Sequence, residues 1–270
     1  MLQEVVKGMA MNMPSSADDY EKDGLLYCGK CNTPKQAYIE GFKCNMPVPC
    51  KCREEEKRRE KEREELIKKQ TRIMELRKAS LLGERYRTAT FENTETDHSV
   101  EFATIFNRCQ RYCEVADAVL RNGTGIFLFG TNGTGKTRLT ACMGNELMQN
   151  NYTVLFTNFA EISKRVFKDD DFIEKLAKIE FLFIDDFGTE KVTKGSEDMW
   201  LQEKVFEVIN KRYNEIKPII FSSNYSLKEL IEDRGVAKKT IDRIAEMCEV
   251  MKLEGKSYRM TAMKNREKLF

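Results

Sequence analysis

Five short apolar runs alternate with helical patterns from residue 125 onward. The runs are Gly125–Phe129, Thr153–Thr157, Phe181–Asp185, Ile219–Ser223 and Val250–Leu253. Short apolar runs bounded by polar or turn residues are typical of strands buried on both faces. Apolar residues at helical spacing predict helices around 101–121, 136–150, 159–167, 198–215, 227–233 and 237–247. The alternation predicts an α/β domain over 85–270, with a mostly parallel sheet covered by helices on both faces.

A highly charged segment precedes this domain. Residues 53–79 contain no glycine or proline, and opposite charges recur four residues apart, which predicts a long helix within a linker over 53–84. A weak apolar stripe marks its C-terminal half: Leu66, Ile67, Ile73, Met74 and Leu76. One interpretation is a solvated spacer helix, and the other is a helix whose C-terminal half docks on a partner or a neighbouring subunit.

The first 52 residues form a short module that contains five of the nine cysteines. It is too short to bury an adequate core by itself. The pairs Cys28-x2-Cys31 and Cys50-x-Cys52 suit the four-thiolate tetrahedron that zinc prefers. We therefore expect these four cysteines to bind Zn²⁺, with Cys44 as a substitute ligand; free cytosolic thiols are the alternative.

Composition and charge indicate a soluble protein, and the ATP site predicted by the glycine-rich motif at 130–137 implies the cytoplasm. The chain is 41% hydrophobic and 33% charged. No apolar run approaches the roughly 20 residues that cross a bilayer, and the N-terminus lacks a basic-then-apolar signal. The odd cysteine count argues against a disulfide framework. The net charge is only +2, so any nucleic-acid binding must come from local patches.

The segment after the first apolar run has the full phosphate-binding pattern. Gly130-x-x-x-x-Gly135-Lys136-Thr137 follows a predicted strand and opens a predicted helix. The pattern predicts that ATP is bound by Gly130, Thr131, Asn132, Gly133, Thr134, Gly135, Lys136 and Thr137. Lys136 would reach the β- and γ-phosphates, and the Thr137 hydroxyl would ligate Mg²⁺. The alternative is a glycine-rich turn without a ligand.

Two later strands end in polar residues that complete such a site. Phe181–Asp185 is followed directly by Asp186; Asp185 would hold Mg²⁺, and Asp186 would orient or deprotonate the attacking water. The next strand leads into Ser222-Ser-Asn224, whose amide would contact the γ-phosphate and the lytic water. An Asx turn and an ordinary strand exit are the alternative readings.

The order of these motifs resembles the AAA+ ATPases of the DnaC/DnaI helicase-loader and IstB-like group. The resemblance rests on the P-loop, Asp185–Gly188, Asn210–Tyr213, Ser222–Asn224 and the lead-in Gly83–Phe91. It implies an AAA+ P-loop core with a five-stranded parallel sheet, ATP hydrolysis and a homo-oligomer. The cysteine module and linker resemble the DnaI-like and phage-type loaders, which implies a replicative DNA helicase and single-stranded DNA as partners.

The same resemblance points to two arginines. Thr240–Ile244 is similar to the segment that carries an arginine finger, so Arg243 would reach the nucleotide of an adjacent subunit. Ser257-Tyr-Arg259 is similar to a second sensor of the nucleotide. Only 11 residues follow Arg259, too few for a full helical lid, so we expect a neighbouring subunit to close that side. Surface ion pairs are the alternative for both arginines.

Two other functions are alternatives. A transposition-helper ATPase of the IstB type shares the core, and a small-molecule P-loop kinase would need a substrate lid but no arginine from a neighbour. Candidate DNA contacts are the basic segments 163–168 and Lys191–Lys194, and solvated surface is their alternative. His98, the only histidine, is expected to be a loop residue.

Overall fold

The chain forms two compact units, Met1–Lys68 and Lys69–Phe270. The computed structural model describes residues 16–96, 99–166, 169, 171–189 and 196–255. Among these residues no helix combines the length and the apolar character that crossing a membrane requires. The three-part division at residues 52 and 84 stays a prediction.

The first unit contains two small antiparallel hairpins. Strands β1 (Tyr20–Lys22) and β2 (Leu25–Tyr27) pair, as do β3 (Gln36–Ile39) and β4 (Cys44–Pro47). The first hairpin turns at Asp23 and Gly24, both with positive φ, as a two-residue Asp-Gly turn requires. The sequence pattern did not predict these strands, because three or four residues are too few for an alternation to stand out.

Helix α1 (Lys51–Ala79) confirms the long charged helix. Arg59 donates to Glu55 at 2.6 Å, one of its pairs four residues apart. In its C-terminal part Ile73 is buried and Leu76 packs on the core of the second unit. The prediction that this stripe docks on a partner is therefore wrong for Ile73 and Leu76, which pack within the chain. The other three residues, Leu66, Ile67 and Met74, are exposed.

The second unit continues with alternating helices and strands. They are α2 (Val100–Glu114), α3 (Ala116–Asn122), β5 (Gly125–Phe129), α4 (Lys136–Gln149), β6 (Val154–Asn158), α5 (Phe159–Val166), α6 (Phe172–Ala177), β7 (Phe181–Asp185), α7 (Ser196–Asn214), β8 (Ile219–Ser223), α8 (Leu227–Glu232), α9 (Lys238–Met247) and β9 (Cys248–Lys252). The predicted helix 101–121 is two helices that meet at Val115. Helix α6 was not predicted, because six residues show little periodicity.

The strands form one parallel sheet in the order β6-β7-β8-β5-β9. Successive residues of β5 enter two different cores: Ile126 and Leu128 lie in one, and Phe127 lies in the other. The sheet is thus covered on both faces, which confirms the predicted α/β class. Since β5 pairs with β8 and β8 pairs with β7, the carboxyl ends of these three strands lie side by side.

One fully buried arginine fixes the opposite end of two of these strands. Arg212 donates to the carbonyls of Leu176 and Ile179 at 2.6 and 2.9 Å. It also donates to those of Glu180 and Pro218 at 3.1 and 2.7 Å. Burial lowers the pKa of Arg212 to about 9, so it stays protonated at neutral pH. The entries to β7 and β8 are tied together by this side chain.

Candidate functional site

The phosphate-binding loop lies between β5 and α4. Gly130, Gly133 and Gly135 have φ of 153°, 85° and 99°, values that side-chain-bearing residues rarely adopt. A Cβ on Gly130 would lie 2.0 Å from the Leu253 carbonyl oxygen. The backbone conformation of the loop therefore requires these glycines. The loop leads directly into α4, a helix of 14 residues.

Lys136 lies folded over this loop. Its Nζ donates to the carbonyls of Gly130 and Thr131, both at 2.8 Å, and the residue is 6% exposed. The Thr134 hydroxyl donates to the same Thr131 carbonyl at 2.9 Å. A phosphate chain would replace neutral carbonyls with charged oxygens, which are stronger partners for an ammonium. The N-terminus of α4 adds its positive end to the same place.

An oxygen cluster lies beside the loop. The Thr137 hydroxyl donates to Asp185 Oδ1 at 3.4 Å, and the Ser222 hydroxyl donates to that same oxygen. Burial raises the pKa of Asp185, partly offset by the Ser222 hydrogen bond. A buried carboxylate next to a hydroxyl is a donor set that fits Mg²⁺, which prefers hard oxygen ligands. The predicted pairing of Thr137 with Asp185 is thus formed in the fold.

The turn after Asp185 is fastened to the end of β8. Asp186, with φ of 52°, donates its N–H to the Ser222 hydroxyl at 3.2 Å. The Phe187 N–H donates to the Ser222 carbonyl at 2.8 Å, and the Ser223 hydroxyl donates to the Phe187 carbonyl at 2.7 Å. Half-buried Asn224 follows directly. The carboxyl ends of β7 and β8 therefore present Asp185, Asp186 and Asn224 together, while the role of Asn224 stays a prediction.

Arg234 binds the end of the acidic turn, a contact that the sequence did not predict. Its Nε donates to the Gly188 carbonyl at 2.7 Å, its Nη2 donates to the Thr189 carbonyl, and its guanidinium lies 4.8 Å from the Tyr225 ring. It holds the far end of the acidic turn. Arginines whose partners are backbone carbonyls have no sequence signature, so no pattern could have pointed to Arg234.

The lead-in segment packs against the helix of the P-loop. Arg138 Nε donates to Thr94 Oγ1 at 3.0 Å, and its Nη2 donates to the Asn93 carbonyl at 2.9 Å. The Asn145 amide donates to the Ala89 carbonyl at 2.8 Å. These bonds join the end of the lead-in and the residues directly after it, 89–94, to α4, the helix that follows the P-loop. Arg138 was missed because it lies just beyond the pattern that ends at Thr137.

Arg243 lies on the surface of α9. Its side chain is 37% exposed, its guanidinium lies 4.3 Å from the Tyr213 ring, and its Nη1 donates to Glu246 at 3.1 Å. The Tyr213 hydroxyl donates to Glu246 at 2.5 Å, which lowers the pKa of Glu246 and raises that of Tyr213. Its contacts with Tyr213 and Glu246 therefore hold the Arg243 guanidinium in a defined orientation. Arg259 lies outside the described residues.

Four cysteines of the first unit converge. The sulfurs of Cys28, Cys31, Cys50 and Cys52 all lie within 4.8 Å of one another, and a tetrahedral zinc site with Zn–S near 2.3 Å needs sulfurs about 3.8 Å apart. The donor set and spacing fit zinc. Cys44, the proposed substitute, lies in β4 and is not a member of this group.

The surroundings of the thiols also suit a cation. A hydrogen bond with the Thr33 hydroxyl lowers the pKa of Cys31 to about 6, and a hydrogen bond with Cys50 raises the pKa of Cys52 to about 12. Crowded thiols cannot all ionise without a positive charge among them. A Cβ on Gly29, between the first two cysteines, would lie 1.9 Å from the Asp18 carbonyl oxygen, so only glycine fits this turn.

The candidate DNA contacts are only partly described. Lys164 is exposed on α5, but Arg165 donates to Glu161 at 2.5 Å and lies 5.7 Å from the Phe172 ring. Arg165 therefore has the ion pair expected of an ordinary helix face. Lys191, Lys194 and His98 lie outside the described residues, and DNA contact at these positions stays a prediction.

Comparison with known proteins finds ATP-binding relatives. A family model described as IstB-like ATP binding protein matches residues 52–267. The chain is 30% identical over 152 residues to a putative insertion sequence ATP-binding protein of Sinorhizobium fredii, covering 53% of this chain and 49% of that one. It is also 30% identical over 154 residues to the replicative helicase loader DnaI of Bacillus subtilis, covering 51% and 48%.

A solved structure shares the fold. The crystal structure of the DnaC helicase loader superposes with a TM-score of 0.55 at 21% identity, covering 64% of this chain and 100% of that one. The chain spans about half the length of the two curated relatives. The comparisons confirm the resemblance to IstB-like ATP-binding proteins and the predicted fold of the P-loop core.

Proposed function

The chain belongs to the IstB-like ATP-binding protein family, and we propose that it is an ATP-dependent loader that binds the replicative DNA helicase and helps place it on single-stranded DNA. The observation that carries this proposal is the four-cysteine cluster. Three of its members, Cys28, Cys31 and Cys50, lie before the range that the family model matches. The ATPase core is common to loaders and transposition helpers, so the extra unit is the feature that favours a loader.

The chemistry follows from the residues around the P-loop. Lys136 and the backbone of Gly130–Gly135 would bind the phosphates, and Thr137 with Asp185 would hold Mg²⁺. Magnesium supplies charge neutralisation on the phosphates. Exposed Asp186 would orient or deprotonate the attacking water, and Asn224 would contact the γ-phosphate. Hydrogen bonds from Asp186 and Phe187 to Ser222, and from Ser223 to Phe187, join the acidic turn to the end of β8 directly before Asn224.

Arg243 would complete the site of a second copy of the chain. Its contacts with Tyr213 and Glu246 hold the guanidinium at the surface of α9, where a neighbour has access to it. A guanidinium from outside stabilises charge that develops on the transferred phosphoryl group. The rate of ATP hydrolysis would then depend on assembly of the chains, as expected of a protein that is switched by its nucleotide.

The first unit would provide the grip on the helicase. Its Tyr38 and Phe42 are 58% and 52% exposed, and exposed aromatic side chains are enriched in protein–protein interfaces. The rings lie four residues apart in the chain, across the end of β3. We assign this surface to the helicase, because the described contacts of the P-loop and the acidic turn are made by residues of the second unit.

A transposition-helper ATPase is the second candidate. It is favoured by the relative from Sinorhizobium fredii, which is as similar in sequence as the helicase loader of Bacillus subtilis. In that case a transposase would be the partner of the same ATPase core. The two functions therefore differ in the partner protein and not in the nucleotide site.

Capture on the immobilised full chain distinguishes them. With ATP present, we expect it to retain the replicative helicase of the same genome or host and not a transposase. Replacing Tyr38 and Phe42 together by alanine should weaken retention by about tenfold or more, as loss of aromatic anchors does. Met199→Ala, which removes an exposed apolar side chain of the second unit (61% exposed), should have no effect. Retention of the transposase alone would establish the second candidate instead.

A further inference from the structure

We propose that Ser222 is a positioning residue of the ATPase, whose hydroxyl holds Asp185 and the turn at Asp186 in the arrangement that Mg²⁺–ATP requires. Ser222 is 1% exposed. Its hydroxyl donates to Asp185 Oδ1 and accepts from the Asp186 N–H at 3.2 Å. This inference rests on the nucleotide site alone, and it stands whether the partner is a helicase or a transposase.

The two hydrogen bonds fix the direction of the hydroxyl. A serine hydroxyl has one proton to donate and lone pairs to accept. Because the Asp186 N–H occupies the accepting side, the proton is directed at the Asp185 carboxylate. The same oxygen, Oδ1, receives the Thr137 hydroxyl at 3.4 Å. Ser222 therefore fixes the rotation of the carboxylate relative to the hydroxyl that is expected to share its metal.

Ser222 also supports the backbone of the turn. Asp186 has φ of 52°, a left-handed conformation that costs free energy unless its surroundings stabilise it. The Ser222 hydroxyl and carbonyl accept from the N–H groups of Asp186 and Phe187, the latter at 2.8 Å. One residue of β8 thus holds the carboxylate and the next two backbone amides of the acidic turn.

The neighbouring Ser223 provides a matched control. It is also buried, at 0% exposure, and it also makes two hydrogen bonds: to the Phe187 carbonyl at 2.7 Å and from the Tyr225 N–H at 3.0 Å. Neither bond involves a carboxylate. Ser223→Ala therefore removes an equally buried hydroxyl from the same strand and leaves the Asp185 contact in place.

The test measures nucleotide affinity against Mg²⁺ concentration, using the full chain and a non-hydrolysable ATP analogue with a fluorescent label. For Ser222→Ala we expect the Mg²⁺ concentration that gives half of the maximal gain in nucleotide affinity to rise about tenfold, because a metal ligand loses its support. The nucleotide affinity in EDTA should change by less than about twofold, because no metal is bound there. Ser222→Thr keeps a hydroxyl and should restore the wild-type titration. Ser223→Ala loses a hydrogen bond to the same turn but keeps the Asp185 contact, so its Mg²⁺ midpoint should shift far less than that of Ser222→Ala.

Two results would overturn the proposal. One is a Ser222→Ala titration that coincides with the wild type, and the other is an equal shift in Ser223→Ala, which would indicate a general effect of buried hydroxyls. Thermal melting establishes that each variant is folded. If Ser222→Ala does not fold, Ser222→Cys replaces it, because the larger thiol still fills the site but is a weak donor. An unshifted Ser222→Cys titration would then contradict the proposal.

Discussion

Lys136→Ala protein is expected to lose ATP hydrolysis and to recover part of it when mixed with Arg243→Ala protein. The rate of ATP hydrolysis by each variant alone should fall by roughly 10³-fold, since a phosphate-binding lysine and an arginine finger each stabilise transition-state charge. In an equimolar mixture about a quarter of the sites would combine an intact Lys136 with an intact Arg243, if subunits pair at random in a head-to-tail assembly.

The structural reason lies in the placement of the two residues. Lys136 is folded onto its own loop at Gly130 and Thr131, so it acts within its own chain. Arg243 is oriented at the surface by Tyr213 and Glu246, which suits action on a neighbour. Recovery in the mixture requires that one residue act within the chain and the other between chains.

Steady-state release of phosphate is the measurement. Lys239→Ala is the matched control, because Lys239 is a cation on the same helix that also lies over an aromatic ring, at 4.4 Å from Phe206. It should hydrolyse ATP at the wild-type rate. A mixture no more active than its separate components would exclude the role of Arg243 between subunits and favour a monomeric P-loop enzyme such as a small-molecule kinase.

Removal of zinc is expected to unfold the first unit and leave the second intact. Among the described residues 16–68, the buried side chains are those of Cys28, Lys35 and Cys50, so this part of the unit has almost no apolar core of its own. A structural zinc contributes on the order of 10 kcal/mol to folding. Without it, the four short strands have too few contacts to persist.

Zinc analysis of the purified full chain, followed by limited proteolysis, measures this. We expect about one zinc per chain, as a four-thiolate site binds one ion, and cleavage within residues 16–50 after chelation while the α/β unit resists. Cys28→Ser should behave like the chelated protein. Cys44→Ser is the control and should keep its zinc, because Cys44 lies outside the sulfur cluster. Zinc-free protein with an intact first unit would refute the metal site.

Much of the ATPase fold was predictable because its strands are buried on both faces. Gly125–Phe129, Phe181–Asp185 and Ile219–Ser223 have the predicted bounds, since an apolar run ends where a buried strand ends. The glycine pattern likewise fixed the loop that joins β5 to α4, because few sequences satisfy three positive φ angles there.

The other features of the site and of the charged helix could not be predicted, because they depend on contacts that leave no local sequence pattern. The run Ser222–Asn224 points to the Asn224 amide, and only the register of β8 beside β7 brings the Ser222 hydroxyl to Asp185. Arg234 and Arg138 bind backbone carbonyls or short polar side chains far away in the chain. The end of the charged helix was ambiguous for a similar reason: Ile73 and Leu76 look like a docking stripe until the core that covers them is known.

Transfer of a helicase to DNA tests the central claim most directly. The full chain, the replicative helicase and circular single-stranded DNA without free ends are incubated with ATP, and helicase bound to the circles is counted after the loader is washed away. The proposal predicts helicase on the circles with wild-type protein and little with Lys136→Ala. Equal amounts of bound helicase with and without the wild-type protein would contradict it.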